Sequence, residues 1–141
     1  MEKISVSDEK LLELFEQAVQ ASKVAYVPYS KFPVGAAILS ADGRVFTGCN
    51  VENRSYGLTN CAERTAMFKA VSEGAVRIAA VAIATPKSDY PVGPCGACRQ
   101  VLTEFGDSEV PVVFGPRLDN LTTATLGDLY PFDSLHELAD Q

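Results

Sequence analysis

At 141 residues, 47% of them apolar, the chain has the size of a single domain, 1–141, with a core of its own. Its 12 Lys and Arg against 18 Asp and Glu leave a net charge of −6, and no basic run is long enough to follow a phosphate backbone, which disfavours a polynucleotide substrate. The longest purely apolar stretch, Ile78–Ala84, falls far short of the roughly 20 residues that cross a bilayer, and the first residues, Met1-Glu2-Lys3-Ile4-Ser5-Val6-Ser7, lack the apolar core of a secretory signal, so no membrane partner and a cytoplasmic location are expected.

Ser7 caps a predicted helix whose first turn holds Asp8 and Glu9. Its apolar stripe runs through Leu11, Leu14, Phe15, Ala18, Ser22 and Ala25, and the helix ends before Pro28. Val34–Leu39 and Val45–Cys49, joined through Asp42-Gly43, read as a β-hairpin. Asn50–Asn60 is a polar and aromatic loop leading to a helix from about Cys61 to Glu73, stopped by Gly74. Ile78–Thr85 is a continuous apolar run suited to a strand covered on both faces, and Pro86–Gly93 is a turn-rich connection. A third helix opens with Pro94 at its first position, carries Cys95–Glu104 and stops at Gly106. Val110–Phe114 is the last strand in this reading; further on, Thr125 caps a short helix over Leu126–Leu129 that breaks at Pro131. This order predicts an α/β fold, an α-β-α sandwich in which a mixed β-sheet carries helices on both faces.

The four cysteines, in a cytoplasmic chain, read as thiols or metal ligands rather than disulfides. Cys61, Cys95 and Cys98 all fall at predicted helix N-termini, where free N–H groups and the helix dipole stabilise thiolate, the form that binds metal. Soft thiolate ligands point to zinc. On spacing alone two kinds of site stay open: a closed structural one, for which Cys49 or His136 supplies a fourth ligand, and one that keeps its fourth position for water. Glu63, two residues past Cys61, is at the right distance to serve a water on such a metal as general acid and base, although a glutamate in a first helical turn is also ordinary dipole complementation. Together, Cys61-Ala62-Glu63 and Pro94-Cys95-Gly96-Ala97-Cys98 fit the zinc nucleobase-deaminase signature in its three-cysteine form.

Four ordered blocks extend this match: Tyr29-Ser30-Lys31-Phe32-Pro33-Val34-Gly35-Ala36, Gly48-Cys49-Asn50-Val51-Glu52-Asn53, Cys61-Ala62-Glu63-Arg64-Thr65-Ala66, and Pro94-Cys95-Gly96-Ala97-Cys98-Arg99-Gln100. Through them the sequence, from Leu11 to about Pro131, resembles the small, homotetrameric class of cytidine deaminases. The resemblance implies one Zn2+ per subunit, held by Cys61, Cys95 and Cys98, and conversion of cytidine to uridine and ammonia in pyrimidine salvage, with Glu63 taking the water proton to N3 and then helping to protonate the departing amino group. Three thiolates on a dication sum to −1, a poor Lewis acid, so a compensating positive charge is needed; the resemblance gives Arg64 this role, as a hydrogen-bond donor to the thiolates.

If Asn50-Val51-Glu52 is extended, Asn50 and Glu52 leave one face together, which suits a ribose hydroxyl. The resemblance implies the 3′-hydroxyl, and hence deoxycytidine as well as cytidine; a loop-capping role for Asn50 stays open. It further implies substrate contacts by Ala62 and by Phe32, the latter against the pyrimidine, with a plain core role for Phe32 as the alternative. Tyr56 matches a tyrosine that neighbouring subunits lend to each other's sites, and Phe132 a carboxyl-terminal aromatic that covers the substrate. Arg54 replaces the small residue common at its place. The expected partner is thus a small nucleoside, with no nucleic acid, in a homotetramer with shared sites. A blasticidin S-type deaminase shares the cysteine motifs, but Glu52 and Arg64 argue against it. A zinc-stabilised binding domain is the non-enzymatic alternative.

Overall fold

Five strands in the order β2-β1-β3-β4-β5 form one mixed sheet in the computed structural model, which describes residues 5–133 and 138. The elements are α1 (Asp8–Ser22), β1 (Gly35–Ser40), β2 (Val45–Cys49), a 3-10 turn at Tyr56–Leu58, α2 (Ala62–Ser72), β3 (Ile78–Ala84), α3 (Gly96–Phe105), β4 (Pro111–Arg117), β5 (Asn120–Thr125) and α4 (Leu126–Leu129). β1 and β2 form the expected hairpin, pairing Leu39 with Val45, and Gly43 takes the left-handed conformation at φ 92° that its turn requires. β3 lies antiparallel to β1 and parallel to β4, and α3 supplies the crossover that a parallel pair needs.

The helices cover both faces because the strands alternate. Ala36 and Ile38 of β1, Val81 and Ile83 of β3, and Val112 and Phe114 of β4 enter one core with Ala62, Ala66, Met67 and Ala70 of α2 and Leu102 of α3. Ala37 and Leu39, Ala80, Ala82 and Ala84, and Val113 face the other way, against Leu11, Leu14, Phe15 and Ala18 of α1. Small side chains on that second face bring α1 close. At Gly35 an added Cβ would lie 1.9 Å from the Ala18 carbonyl oxygen, and at Gly48 one would lie 2.5 Å from the Ala66 amide, so glycine alone lets α1 and α2 sit on β1 and β2.

The main departures from expectation concern α1, α3 and the last strand. α1 ends at Ser22, leaving Ala25 outside the helix, since Tyr26 pairs with Val51 as an isolated bridge and pulls the chain into extended form. Pro94 lies one residue ahead of the N-cap rather than at the first helical position, because Cys95, still extended, occupies the N-cap and the helix begins at Gly96. β5 was not foreseen: it is an edge strand with Thr122 and Thr123 exposed, so its apolar signal is diluted, and it closes a tight hairpin in which Arg117 pairs with Asn120. α4 follows as expected, with Thr125 and Asp128 forming a reciprocal capping box. Among the described residues no helix is long and apolar enough to cross a membrane.

Candidate active site

α2 and α3 each begin on a cysteine. Cys61 is the N-cap of α2 and Cys95 that of α3, and neither side chain caps its own helix, which leaves both thiols available to other partners. Cys98, two residues into α3 from Gly96, is buried and turns back to the same point. The Cys61 and Cys95 sulfurs are 3.7 Å apart, Cys95 and Cys98 3.4 Å, and all three lie within 4.8 Å of one another. A tetrahedron with zinc–sulfur bonds of about 2.3 Å has edges of about 3.8 Å, so the trio already has the spacing of three corners of a zinc–thiolate site.

Among the described residues, no other His, Cys, Asp or Glu joins this cluster. The Cys49 thiol faces elsewhere, toward the Val24 carbonyl at 3.8 Å, and His136 lies outside the described residues. The protein groups in view therefore leave the fourth corner open, as a site that admits water or substrate requires.

Charge around the cluster favours thiolate at Cys61. Hydrogen bonding from Cys98, followed by that from Arg64, lowers the Cys61 thiol to about 5 against the opposing effect of burial. Cys98, sharing its proton with Cys61 and buried, is held up in turn. Arg64 Nη2 donates to Cys61 Sγ at 3.3 Å, the place the sequence reading gave it, while its Nε is buried without a partner. Glu63 is only 4% exposed, and burial lifts its carboxyl to about 7, with the charge on Cys61 adding to the rise. A carboxyl in that range both takes and gives a proton near neutrality.

Ahead of α2, Val51 bridges Tyr26 on one side and Asn60 on the other, so Asn50-Val51-Glu52 is extended and its two polar side chains do share a face. Both reach the segment 29–34. Asn50 Oδ1 accepts from the Val34 amide at 2.9 Å and its Nδ2 donates to the Phe32 carbonyl at 2.9 Å. Glu52 Oε1 accepts from the amides of Tyr29 and Ser30, both at 3.1 Å. The loop-capping role left open for Asn50 is thus present in the structure. Phe32, gripped through its backbone, is half-buried and belongs to neither core cluster, which sets aside the plain core role. Lys31 beside it sits at φ 60°, uncommon outside glycine, in the tight turn that these bonds hold.

Glu52 lines a cavity of about 420 Å³ with Tyr29, Ser30, Tyr56 and Thr59. Tyr29 and Tyr56 meet edge to face with centroids 5.8 Å apart, and Tyr56 is 75% exposed. Arg54 is exposed on the same loop.

The profile of the family described as "Cytidine and deoxycytidylate deaminase zinc-binding region" matches residues 8–114. The chain is 48% identical over 119 residues to a cytidine deaminase of Sporosarcina psychrophila, covering 84% of this chain and 87% of that one. It is 50% identical over 118 residues to one of Halalkalibacterium halodurans, covering 84% and 89%. The chain belongs to the cytidine and deoxycytidylate deaminase family. The cytidine deaminase of Burkholderia pseudomallei shares its fold with a TM-score of 0.81 at 48% identity, over 85% of this chain and 95% of that one.

In this deaminase, Cys61, Cys95, Cys98, Glu63 and Arg64 come together, and Ala62, wholly buried between Cys61 and Glu63, packs the start of α2 onto the sheet. Phe132 is not brought to the cluster within the chain. It is 91% exposed and borders a groove with Thr103, Gly106 and Ser108, at the end of α3 remote from the cysteines. The sequence reading gave no role to Tyr29 or to Arg99. Arg99 carried a usable signal, since it follows Cys95 by four residues and so lies on the same helix face.

Proposed function

We propose that residues 1–141 act as one deaminase domain that hydrolyses cytidine and deoxycytidine to uridine and deoxyuridine with release of ammonia, in pyrimidine salvage. The observation that carries this reading is a buried carboxyl, Glu63, beside a three-thiol cluster that no fourth His, Cys, Asp or Glu among the described residues joins. Cys61, Cys95 and Cys98 would hold zinc, which when bound supplies the Lewis acidity that makes a hydroxide nucleophile accessible near neutral pH. Glu63 accepts a proton from water and delivers it to N3 as the water oxygen bonds to C4; it then takes the proton of the new C4 hydroxyl and passes it to the amine, so that the C4–N bond breaks as the C4 carbonyl forms. Arg64 draws charge from the Cys61 sulfur. Asn50 and Glu52 fix the 29–34 segment and face the ribose, and Phe32 packs on the pyrimidine.

A homotetramer with shared sites, in which Tyr56 and Phe132 each reach a neighbour, is supported by the exposure of both rings and of Val24, Tyr26 and Leu58. A reducing cytoplasm suits a site built on three thiols.

Ultraviolet absorbance of cytidine incubated with purified protein tests the reading. Loss of the cytosine band, abolished by a chelator and restored by zinc, is the expected result. An unchanged spectrum with zinc-loaded protein sinks it, and turnover of blasticidin S well above that of cytidine would move the substrate to the antibiotic class. Arg64→Ala is expected to keep the fold and lose roughly 10- to 100-fold in zinc affinity or activity. Wild-type rate and metal content in that variant would remove Arg64 from the site.

A further inference from the structure

Helical side chains lean toward the N-terminus, so Arg99, one turn beyond Cys95, reaches back over the start of α3. Its Nε donates to the Pro94 carbonyl at 2.7 Å, and its Nη1 donates to the Leu129 carbonyl at 2.9 Å. Its Nη2 lies against Gly93, where an added Cβ would stand 3.2 Å away. Pro94 is buried, and its carbonyl precedes the first acceptor of the α-helical ladder, which is Cys95 O receiving the Arg99 amide at 3.0 Å. A buried carbonyl in that position needs a donor from elsewhere, and Arg99 supplies it.

The consequence falls on Cys95. The peptide plane that carries the Pro94 carbonyl also carries the Cys95 amide, so holding one end sets the backbone from which the Cys95 side chain departs. Of the three thiols Cys95 is the exposed one, whereas Cys98 is buried and Cys61 receives a hydrogen bond from Arg64. Packing therefore holds Cys95 least. The other arm of the fork grips the end of α4, where Tyr130 also donates its hydroxyl to Gln100 Oε1 at 2.6 Å.

We propose that Arg99 is a positioning residue: through the Pro94 carbonyl it sets Cys95 at the metal-binding point, and through Leu129 it ties the end of α4 to the same turn of α3. This inference rests on the cysteine cluster being a zinc site. The two acceptors engage different nitrogens of a planar guanidinium, so the single ammonium of a lysine cannot reproduce both bonds.

The test compares zinc-loaded wild type, Arg99→Lys, Arg99→Met and Tyr130→Phe for zinc content, circular dichroism and rate of zinc transfer to a chromophoric chelator. Folded Arg99 variants are expected to release zinc at least about 10-fold faster than wild type. Tyr130→Phe, which loosens the end of α4 without touching Pro94, is expected to release zinc at the wild-type rate. Wild-type release from either folded Arg99 variant overturns the proposal, as does a Tyr130→Phe rate equal to theirs. If only Arg99→Met fails to fold, Arg99→Lys decides; failure of both overturns it by making Arg99 a folding determinant. A wild-type protein that takes up no zinc overturns the zinc reading itself and this inference with it.

Discussion

Glu63→Gln is expected to keep its zinc and its fold and to lose cytidine turnover by a factor of about 10²–10⁴. The substitution preserves shape and removes only the ability to take and give a proton. That ability is what the surroundings of Glu63 tune: the side chain is 4% exposed, and burial raises its carboxyl to about 7. In the unfolded chain an ordinary glutamate is almost wholly ionised at pH 7, whereas here both protonation states are populated, as a group that must first accept and then donate requires. Steady-state rates with metal analysis on the same sample provide the check. Turnover within tenfold of wild type would show that the proton passes through another group, and a metal-depleted variant would show instead that Glu63 supports the cluster.

Cys98→Ala is expected to have the second large effect, loss of nearly all bound zinc and with it all measurable turnover. Cys98 is the buried member of the trio, hydrogen-bonded with Cys95 and within 4.8 Å of Cys61, so its removal leaves two thiols of the cluster. Alanine fills part of the buried space without adding a polar group, which keeps the structural cost down. Cys49→Ala is the matching control, because that thiol faces Val24 and stands outside the cluster. Zinc per subunit measured on both variants separates a three-cysteine site from one closed by Cys49. Retention of a full equivalent by Cys98→Ala, or its loss from Cys49→Ala, would overturn the assignment.

The centre of the site was legible in the sequence because its chemistry is concentrated at two helix starts, where a cap position and a short spacing decide the geometry. Cys61-Ala62-Glu63-Arg64 and Pro94-Cys95-Gly96-Ala97-Cys98 are local patterns, and local patterns survive folding. The sheet was legible to the same extent. Ile78–Ala84 is a short continuous apolar run suited to a covered strand, whereas the threonine-rich β5 shows no apolar run and its identity depends on β4 lying beside it. What could not be read was which donor meets which acceptor across long separations. Asn50 and Glu52 were rightly placed on one face, yet nothing local says that they grip the backbone at 29–34. Arg99 likewise finds Leu129 thirty residues away, a contact made by topology.

The two glycines that seat α1 and α2 have a mechanical consequence. Gly35 pairs with Cys49 and Ala36 with Gly48, so the tight seats of both helices fall at the same end of the hairpin, on opposite faces, immediately before Asn50. Backbone meets backbone there with no side chain to act as a cushion. α2 cannot slide or tilt at that end without collision, and the start of α2, where Cys61 and Glu63 stand, inherits that stiffness. Any movement that admits a nucleoside therefore falls to the chain outside this seat, and α2 serves it as a fixed anvil.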